Sequence, residues 1–236
     1  MSSIAVLDHG FVKLRNISGP VRRSDKNYDA DDTDPATTAR ISFDNMEGDR
    51  TRDDDLKLVK YLIDHNHNTP IEMIEVWLEM KMPIFVARQF VRHRTACINE
   101  VSGRYVTLPE EWYIPEIVGG KPTGGAKQGQ SDTLNIEIQN MFKTQLQDSC
   151  YRDYQRYLKA IEYGVAPEHA RMFLHTNHYT HWVWKQDLHN VLHFLKLRLD
   201  GHAQVEAQLY GGAIFNLLYQ VLPQIMVNFE EGRGNG

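Results

Sequence analysis

The stretch RHRTACINEVSGRY, residues 92–105, is the part of this sequence on which the predicted fold and function depend. From Arg88 to Arg104 the chain carries four arginines against one acid, Glu100. Guanidinium groups bind phosphate in a bidentate manner and stay charged at any working pH. The segment therefore predicts a phosphate-binding surface inside a chain that is acidic overall.

The predicted local geometry brings the polar side chains of this stretch together. A helix is expected to open at Pro83, and if residues 88–94 belong to it, Gln89, Arg92 and His93 share one face. Residues 100–107 are expected to be extended, which points Glu100, Ser102 and Arg104 to one side. The alternative is a surface helix whose arginines pair with acids elsewhere, and spacing alone does not choose between the two.

The periodicity of the rest of the chain predicts an α+β single domain, a small antiparallel β-sheet packed against several helices. Alternating or short apolar runs predict strands in residues 4–14, with a turn at Asp8-His9-Gly10, and in 73–82 and 178–185. Helices are predicted at about 53–65, 131–162, 167–174, 187–199 and 203–226. In the last helix one apolar stripe is expected to form core or subunit interface: Tyr210, Ile214, Leu217, Val221 and Ile225.

Two segments between these elements have a distinct composition. Residues 20–36 are rich in aspartate and are expected to form a solvated loop rather than an acidic binding site. Residues 117–130 are rich in glycine and are expected to form a flexible loop. The glycines do not match the phosphate-binding Walker sequence, because the required Gly-Lys-Ser/Thr is absent.

Composition limits the class of protein. With 236 residues, 42% hydrophobic and 24% charged, the chain is long enough for one domain with a sizeable core. A net charge of -5 argues against a nucleic-acid binder. The first residues do not resemble a signal peptide, and no apolar run is long enough to span a membrane. The only cysteines, Cys97 and Cys150, predict a reducing, cytoplasmic location and no disulfide framework.

The eleven histidines suggest a second kind of site. His175, His178 and His181 recur every third residue, so a metal site and a metal-dependent hydrolase are alternatives. The strand predicted at 178–185 would instead put His178 and His181 on opposite faces, and no metal is expected. His189 and His193 lie four apart on a predicted helix, where they either brace the helix or contact a ligand. Cys97 is expected to be a packing residue and not a nucleophile.

The spacing of Arg92-His93-Arg94 and Ser102 resembles the RHR-x7-S signature of the flavin-dependent thymidylate synthases. Further segments are similar to that family in order and spacing, and the resemblance covers roughly residues 4–215. These segments are ARISF at 39–43, His65-x-His67-x-Thr69-Pro70-x-Glu72, IFVARQ at 84–89, Arg171 in EHAR, Leu197-Arg198, and His202-Ala203-Gln204-x-Glu206. The loops near 20–36 and 117–130 look like length variations on the family's single domain.

The resemblance implies a reaction, its cofactor and an assembly. Members make dTMP from dUMP, with methylenetetrahydrofolate as carbon donor and FAD reduced by NADPH as hydride source. The family uses no protein nucleophile. Its members are homotetramers whose active sites are shared between subunits, which would fit the apolar stripe on the last helix.

The resemblance also assigns roles to residues. It implies that Arg198 is catalytic and activates the pyrimidine, because a planar, permanently charged guanidinium can stabilise the anion that forms. The implied dUMP-binding residues are Gln89, Phe90, Val91, Arg92, Glu100, Val101, Ser102, Gly103, Arg104, Arg171 and Arg198. The implied flavin-binding residues are Thr69, Arg92, His93, Arg94, Glu100, Asp187, Leu188, His189 and His193. His67 and Tyr105 are further candidates near flavin and folate.

This sequence departs from the family at few of these positions. Cys97 stands where some members have serine, and Asp187 and His189 occupy positions that vary among relatives. A binding module that holds a phosphorylated ligand without turnover is the remaining alternative to the enzyme.

Overall fold

The computed structural model describes residues 2–21, 29–45, 49–122 and 133–234. Five antiparallel strands form one sheet in the order β1-β2-β3-β5-β4. The strands are β1 (Ser3–Val6), β2 (Gly10–Ser18), β3 (Glu75–Pro83), β4 (Cys97–Glu100) and β5 (Tyr179–Asp187). The mixed α+β domain with a small antiparallel sheet is therefore confirmed. No helix in the described ranges is long and apolar enough to cross a membrane.

Helices cover one face of the sheet and continue beyond its edge. They are α1 (Asp34–Ala39), α2 (Arg52–Asp64), α3 (Thr69–Glu72), α4 (Ile84–Phe90), α5 (Ile136–Glu162), α6 (Pro167–Ala170), α7 (Leu188–Arg198), α8 (Val205–Tyr219) and α9 (Pro223–Gly234). Short 3-10 turns follow α1 and α6, at Arg40–Phe43 and Arg171–Phe173. The described part of the glycine-rich segment ends at residue 122, and the rest of that predicted loop lies outside the described residues.

The sheet follows from the alternation of the sequence. On β3, Val76, Leu78 and Met80 are buried on the helix-covered face, while their neighbours are half-buried. The predicted hairpin is also present, with Gly10 opening β2. A side chain at Gly10 would collide with the Tyr210 hydroxyl and the Val6 carbonyl, at 2.0 and 2.6 Å, so only glycine fits.

The buried apolar side chains of the described residues form two separate cores. The large one lies between the sheet and helices α4, α7, α8 and α9. The small one lies beside α5 and is built from Trp112, Cys150, Tyr154, Tyr157 and Ala170. The small core contains Ala170, so it supports the segment that leads into Arg171.

Several predicted helices have different bounds in the structure, and the one predicted at 167–174 is α6 followed by a 3-10 turn. The helix predicted at 203–226 is two helices, because α8 ends at Tyr219 and Pro223 opens α9 after a short turn. The apolar stripe on these helices packs inside one chain: Tyr210, Ile214, Leu217 and Ile225 are buried in the large core. It is therefore core and not subunit interface. The helix predicted from 131 begins at Ile136.

The aspartate-rich segment is not simply a solvated loop, so that prediction was wrong for its described second half. Asp31, Asp32 and Asp34 are 8%, 1% and 0% exposed. The Asp32 carboxylate accepts a hydrogen bond from the Ile225 amide at 2.9 Å, where it caps the first turn of α9. Composition could not reveal this role, since the partner lies near the opposite end of the chain.

Candidate active site

The arginine segment does not continue the helix that precedes it. Helix α4 ends at Phe90, because Phe90 is anchored in the large core with its ring 4.7 Å from that of Phe194. The chain then turns, and His93 packs on the same Phe194 ring at 4.9 Å. The predicted helical face shared by Gln89, Arg92 and His93 was therefore wrong. Tertiary packing overrides the local pattern here, leaving Arg92 exposed and His93 half-buried.

The second half of the segment is a turn rather than an extended strand. Strand β4 ends at Glu100, and the amides of Tyr105 and Val106 both donate to the Ser102 carbonyl, at 3.0 and 3.2 Å. The expected common side for Glu100, Ser102 and Arg104 was therefore wrong. Glu100 instead accepts a hydrogen bond from the Thr180 hydroxyl of β5.

The turn brings two distant parts of the predicted nucleotide site together. Gly103 is buried, and a Cβ added there would lie 3.4 Å from Cδ of Arg171 and 3.1 Å from Cδ1 of Leu108. Arg104 donates from Nε to the Glu168 carboxylate at 3.1 Å. Glu168 and Arg171 both lie in the short helical segment after α5. Residues 102–104 and Arg171 thus form one surface, which we call the turn site.

Most arginines around this surface have no acidic partner within the part of the chain that the structure describes. Among the residues that the structure describes, no carboxylate lies within ion-pair distance of Arg88, Arg92, Arg94 or Arg171. All four are exposed. The alternative in which these arginines pair with acids elsewhere therefore holds only for Arg104. Unpaired guanidinium groups in a chain of negative net charge favour an anionic ligand.

Arg198 and His93 form a second group, which we call the guanidinium–imidazole pair. Arg198 Nη2 lies 3.1 Å from His93 Nε2, and the Nε atom of Arg198 is buried without a hydrogen-bond partner. Burial, together with the charges of Arg198 and His193, lowers the pKa of His93 to about 4. His93 is therefore neutral at neutral pH and can accept the hydrogen bond. Burial also lowers the pKa of Arg198 below its ordinary value.

Helix α7 carries the remaining predicted flavin contacts. Asp187 caps its first turn by accepting a hydrogen bond from the Asn190 amide at 2.9 Å, and its second oxygen accepts one from the Asn190 side chain at 2.8 Å. His189 and His193 then line a cavity of about 600 Å³. The ring of His193 is 6.4 Å from that of His93, so this cavity adjoins the guanidinium–imidazole pair.

A second cavity, of about 1020 Å³, lies on the other side of α3. Thr69 and His67 line it, while Asn66 and Asn68 line both cavities. Tyr61 and His65 also lie beside it, with their rings stacked at 4.0 Å. The structure thus places Thr69 one short helix away from His189 and His193.

Some of the residues predicted to contact a ligand have side chains that are buried in the core. Phe90 and Leu188 are fully buried, and the Leu188 amide donates to the Ile74 carbonyl at 2.7 Å. Val91 packs against the large core, whereas Val101 is 38% exposed. Phe90 and Leu188 therefore hold neighbouring site residues in place, and their side chains do not face a ligand.

Sequence reasoning assigned no role to two residues that the structure places at the site. Gln204 accepts a hydrogen bond from Gln89. Gln204 stands in one of the segments that resemble the family, but that resemblance gave it no role. Lys196, one turn after His193, lines the smaller cavity. The expected packing role of Cys97 was wrong, because Cys97 is exposed on the edge strand β4.

The three histidines that recur every third residue, His175, His178 and His181, have structural roles. His175 Nε2 lies 2.7 Å from the Asp153 carboxylate, and His181 Nε2 lies 2.9 Å from Glu79. His178 is buried just before β5. No group of three or more histidine, cysteine or acidic side chains within the described ranges could hold a metal ion.

Comparison with known proteins identifies the family. Residues 26–224 match the model of the thymidylate synthase complementing proteins. The chain is 38% identical to the flavin-dependent thymidylate synthase of Gluconobacter oxydans over 233 residues, covering 97% of this chain and 72% of that one. It is 40% identical to an enzyme of the same description from Thermus thermophilus over 229 residues, covering 97% and 78%.

Solved structures agree on the fold. The UMP/dUMP methylase PolB of Streptomyces cacaoi, bound with 5-Br dUMP, superposes with a TM-score of 0.81. The match covers 98% of this chain and 99% of that one at 22% identity. With the family model matching most of the chain and relatives near 40% identity over almost its full length, the chain belongs to the flavin-dependent thymidylate synthase family.

Proposed function

We propose that this chain converts dUMP to dTMP, with methylenetetrahydrofolate as carbon donor and NADPH-reduced FAD as hydride source, and without a protein nucleophile. The observation that carries the proposal is the guanidinium–imidazole pair of Arg198 and His93. Burial and a neutral partner prepare this guanidinium to stabilise negative charge. The names of the relatives and the unpaired arginines nearby support the same reading.

The residues present fit a dinucleotide cofactor. Arg92 and Arg94 offer exposed guanidinium groups without acidic partners among the described residues, which suits phosphate. Two cavities flank α3, and the buried Nε of Arg198 lacks a partner. The side chains proposed to hold FAD are Thr69, Arg92, His93, Arg94, Glu100, His189 and His193, with Asp187 fixing the start of α7. Bound FAD supplies the hydride.

Arg198 performs the chemical role that falls to the protein. The uracil ring must become electron-rich at C5 before it can attack a one-carbon unit, and negative charge then develops at its carbonyl edge. His93 accepts one N–H of Arg198 and fixes the guanidinium plane, leaving its other N–H groups to bind that edge. The low-polarity surroundings strengthen the interaction, because charge in a desolvated site is weakly screened.

The buried cysteine is poorly suited to the role of nucleophile. Cys97 is exposed on an edge strand, and Cys150 is buried in the small core. Burial raises the pKa of the Cys150 thiol, which disfavours the reactive thiolate. Both are free thiols, which supports the proposed cytoplasmic location.

The turn site is proposed to bind the phosphate of dUMP. Ser102, Arg104 and Arg171 supply a hydroxyl and two guanidinium groups, and the buried Gly103 lets the turn lie close to Arg171. Gln89, Arg92 and Glu100 are proposed to contact the rest of the nucleotide. The PolB structure, which binds 5-Br dUMP, supports a pyrimidine nucleotide as ligand.

We further propose a homotetramer with shared active sites. The proposal rests on the family to which the chain belongs. Exposed apolar side chains on α5, including Ile136, Met141 and Phe142, offer surface for such an assembly.

A tritium-release assay tests the proposed reaction. Purified protein that absorbs as a flavoprotein is mixed with dUMP labelled at C5, methylenetetrahydrofolate and NADPH, and both released tritium and dTMP are measured. We expect release that depends on all three substrates. Flavin and dUMP binding without any release would leave only a binding module, and release that depends on added zinc or manganese would favour a metal enzyme.

A further inference from the structure

The turn site is shaped by a residue outside the family signature, Leu108. Gly103 is buried, and a Cβ added there would be tightly placed, 3.1 Å from Leu108 Cδ1 on one side and 3.4 Å from Arg171 Cδ on the other. The turn is therefore held between Leu108 and Arg171. We expect the position of Leu108 to limit how closely the turn at Gly103 approaches the Arg171 side chain.

Two tyrosines of α5 hold the backbone of Leu108 at both of its polar atoms. The Leu108 amide donates to the Tyr157 hydroxyl at 2.9 Å, and the Tyr154 hydroxyl donates to the Leu108 carbonyl at 3.0 Å. Leu108 lies between β4 and α5, outside every strand and helix. Tyr157 is fully buried and Tyr154 is 6% exposed, so water cannot readily replace either hydroxyl.

The same two tyrosines also support the other side of the turn site. They belong to the small core, together with Ala170, which immediately precedes Arg171. Helix α5 thus fixes the backbone position of Leu108 and also supports the segment that carries Arg171. A binding group must be held to within a fraction of an ångström to act at full strength.

We propose that Tyr154 and Tyr157 are positioning residues for the phosphate of dUMP, an inference that rests on the proposed function. Their hydroxyl groups hold the turn against Arg171 and touch no substrate themselves. Removing one hydroxyl loosens the turn site without touching Arg198 or His93, which belong to the other group. Binding of the phosphate is therefore expected to weaken while the chemical step is retained.

The test compares the full-length variants Tyr157→Phe and Tyr154→Phe with wild type. Tyr151→Phe is the matched control, since Tyr151 is an exposed tyrosine on the same helix. Loss of one buried hydrogen bond predicts that KM for dUMP rises about tenfold, with kcat within about twofold of wild type. Inhibition by deoxyuridine, which lacks the phosphate, is expected to stay unchanged, and the control is expected to match wild type in both assays.

Three outcomes overturn the inference. One is an unchanged KM for dUMP in both variants, and another is an equal loss of affinity for dUMP and deoxyuridine, which a general structural role would cause. The third is a fall in kcat at unchanged KM. If Tyr157→Phe does not fold, Tyr154→Phe decides alone, because it leaves the Leu108 amide bonded. Wild-type protein without dUMP-dependent turnover would refute the proposed function before any variant is compared.

Discussion

At the scale of single residues, the neutrality of His93 determines what Arg198 can do. A protonated imidazole would repel the guanidinium, and it could not accept a hydrogen bond from it. Because burial, with Arg198 and His193 nearby, lowers the pKa of His93 to about 4, the ring stays neutral throughout the physiological range. The Arg198 guanidinium is therefore oriented by an uncharged partner and keeps its full positive charge for a ligand.

Replacing Arg198 tests this arrangement. Arg198→Lys keeps a charge but loses the planar fork, which can bond His93 and present two further N–H groups to a pyrimidine edge in one fixed geometry. We expect kcat for dTMP formation to fall by about 10²- to 10³-fold, as when a preorganised donor is removed elsewhere. Tritium release reports the loss, and the exposed Arg152→Ala serves as control. Wild-type turnover in Arg198→Lys would remove the proposed role.

Replacing Arg104 tests the turn site. Loss of a charge-assisted contact to phosphate costs about 1.5–3 kcal/mol, so Arg104→Ala is expected to weaken dUMP binding by about 10- to 150-fold. In the present structure Arg104 pairs with Glu168, and both side chains are about half exposed. Glu168→Gln removes only this competing carboxylate and is expected not to weaken binding. Calorimetric titration with dUMP measures both variants, and wild-type affinity in Arg104→Ala would contradict the assignment.

At the scale of elements, helix α7 organises the guanidinium–imidazole pair and the smaller cavity. Its first turn is fixed by Asp187, its middle presents His189 and His193, and its last residue is Arg198. The cap is provided by the last residue of β5, so the sheet determines where the helix begins. An error in the start of α7 would shift every site residue along it.

The Asp187 cap can be tested by stability. Asp187→Ala leaves the Asn190 amide without its partner and is expected to lower the free energy of unfolding by about 1 kcal/mol. Asp187→Asn keeps an oxygen acceptor for the Asn190 amide and gives up the bond from the Asn190 side chain, so its free energy of unfolding is expected to fall less than that of Asp187→Ala. Urea unfolding at fixed protein concentration measures the difference. An equal loss in the two variants would show that the carboxylate charge, and not the cap, is the source of stability.

At the scale of the whole molecule, the two ends of the described chain depend on each other. Asp32 caps α9, and Tyr179 of β5 donates a hydrogen bond to Asp8 beside the first hairpin turn. Burial raises the pKa of Asp32, because its charge is desolvated more than its hydrogen bonds compensate. The large core therefore closes only when the N-terminal segment and the last helix meet.

The buried His178 predicts how stability depends on pH. Burial lowers its pKa to about 4 in the folded chain, from an ordinary value of 6.5. Between these values only the unfolded chain binds the proton, so stability is lost as pH falls from 6.5 towards 4. The loss is on the order of 2–3 kcal/mol, and the partly exposed His93 adds a smaller amount.

Urea unfolding across this range, at constant protein concentration, checks the prediction. His178→Gln cannot take up the proton, and we expect its stability to decline less steeply with falling pH than that of wild type. The comparison uses the slope, so any constant destabilisation of the variant cancels. Parallel curves for the two proteins would mean that His178 is not buried in its neutral form.

The sequence by itself determined the elements whose buried faces repeat locally. Alternation predicts β3 and β5, and helical spacing predicts α2 and α7, because each pattern records which local face meets the core. The arginine-rich segment and Arg198 are proposed site residues: local charge singled out the first, and the family resemblance singled out the second.

Only the tertiary structure decided where the elements end and which distant residues meet. Helix α4 ends where Phe90 packs into the large core, and the buried Asp32 caps α9. The fold also brings His93 next to Arg198 and Gly103 next to Arg171. These contacts join residues far apart in the sequence, so no local period encodes them. Their energy comes from burial and from partners that the complete packing alone brings into reach.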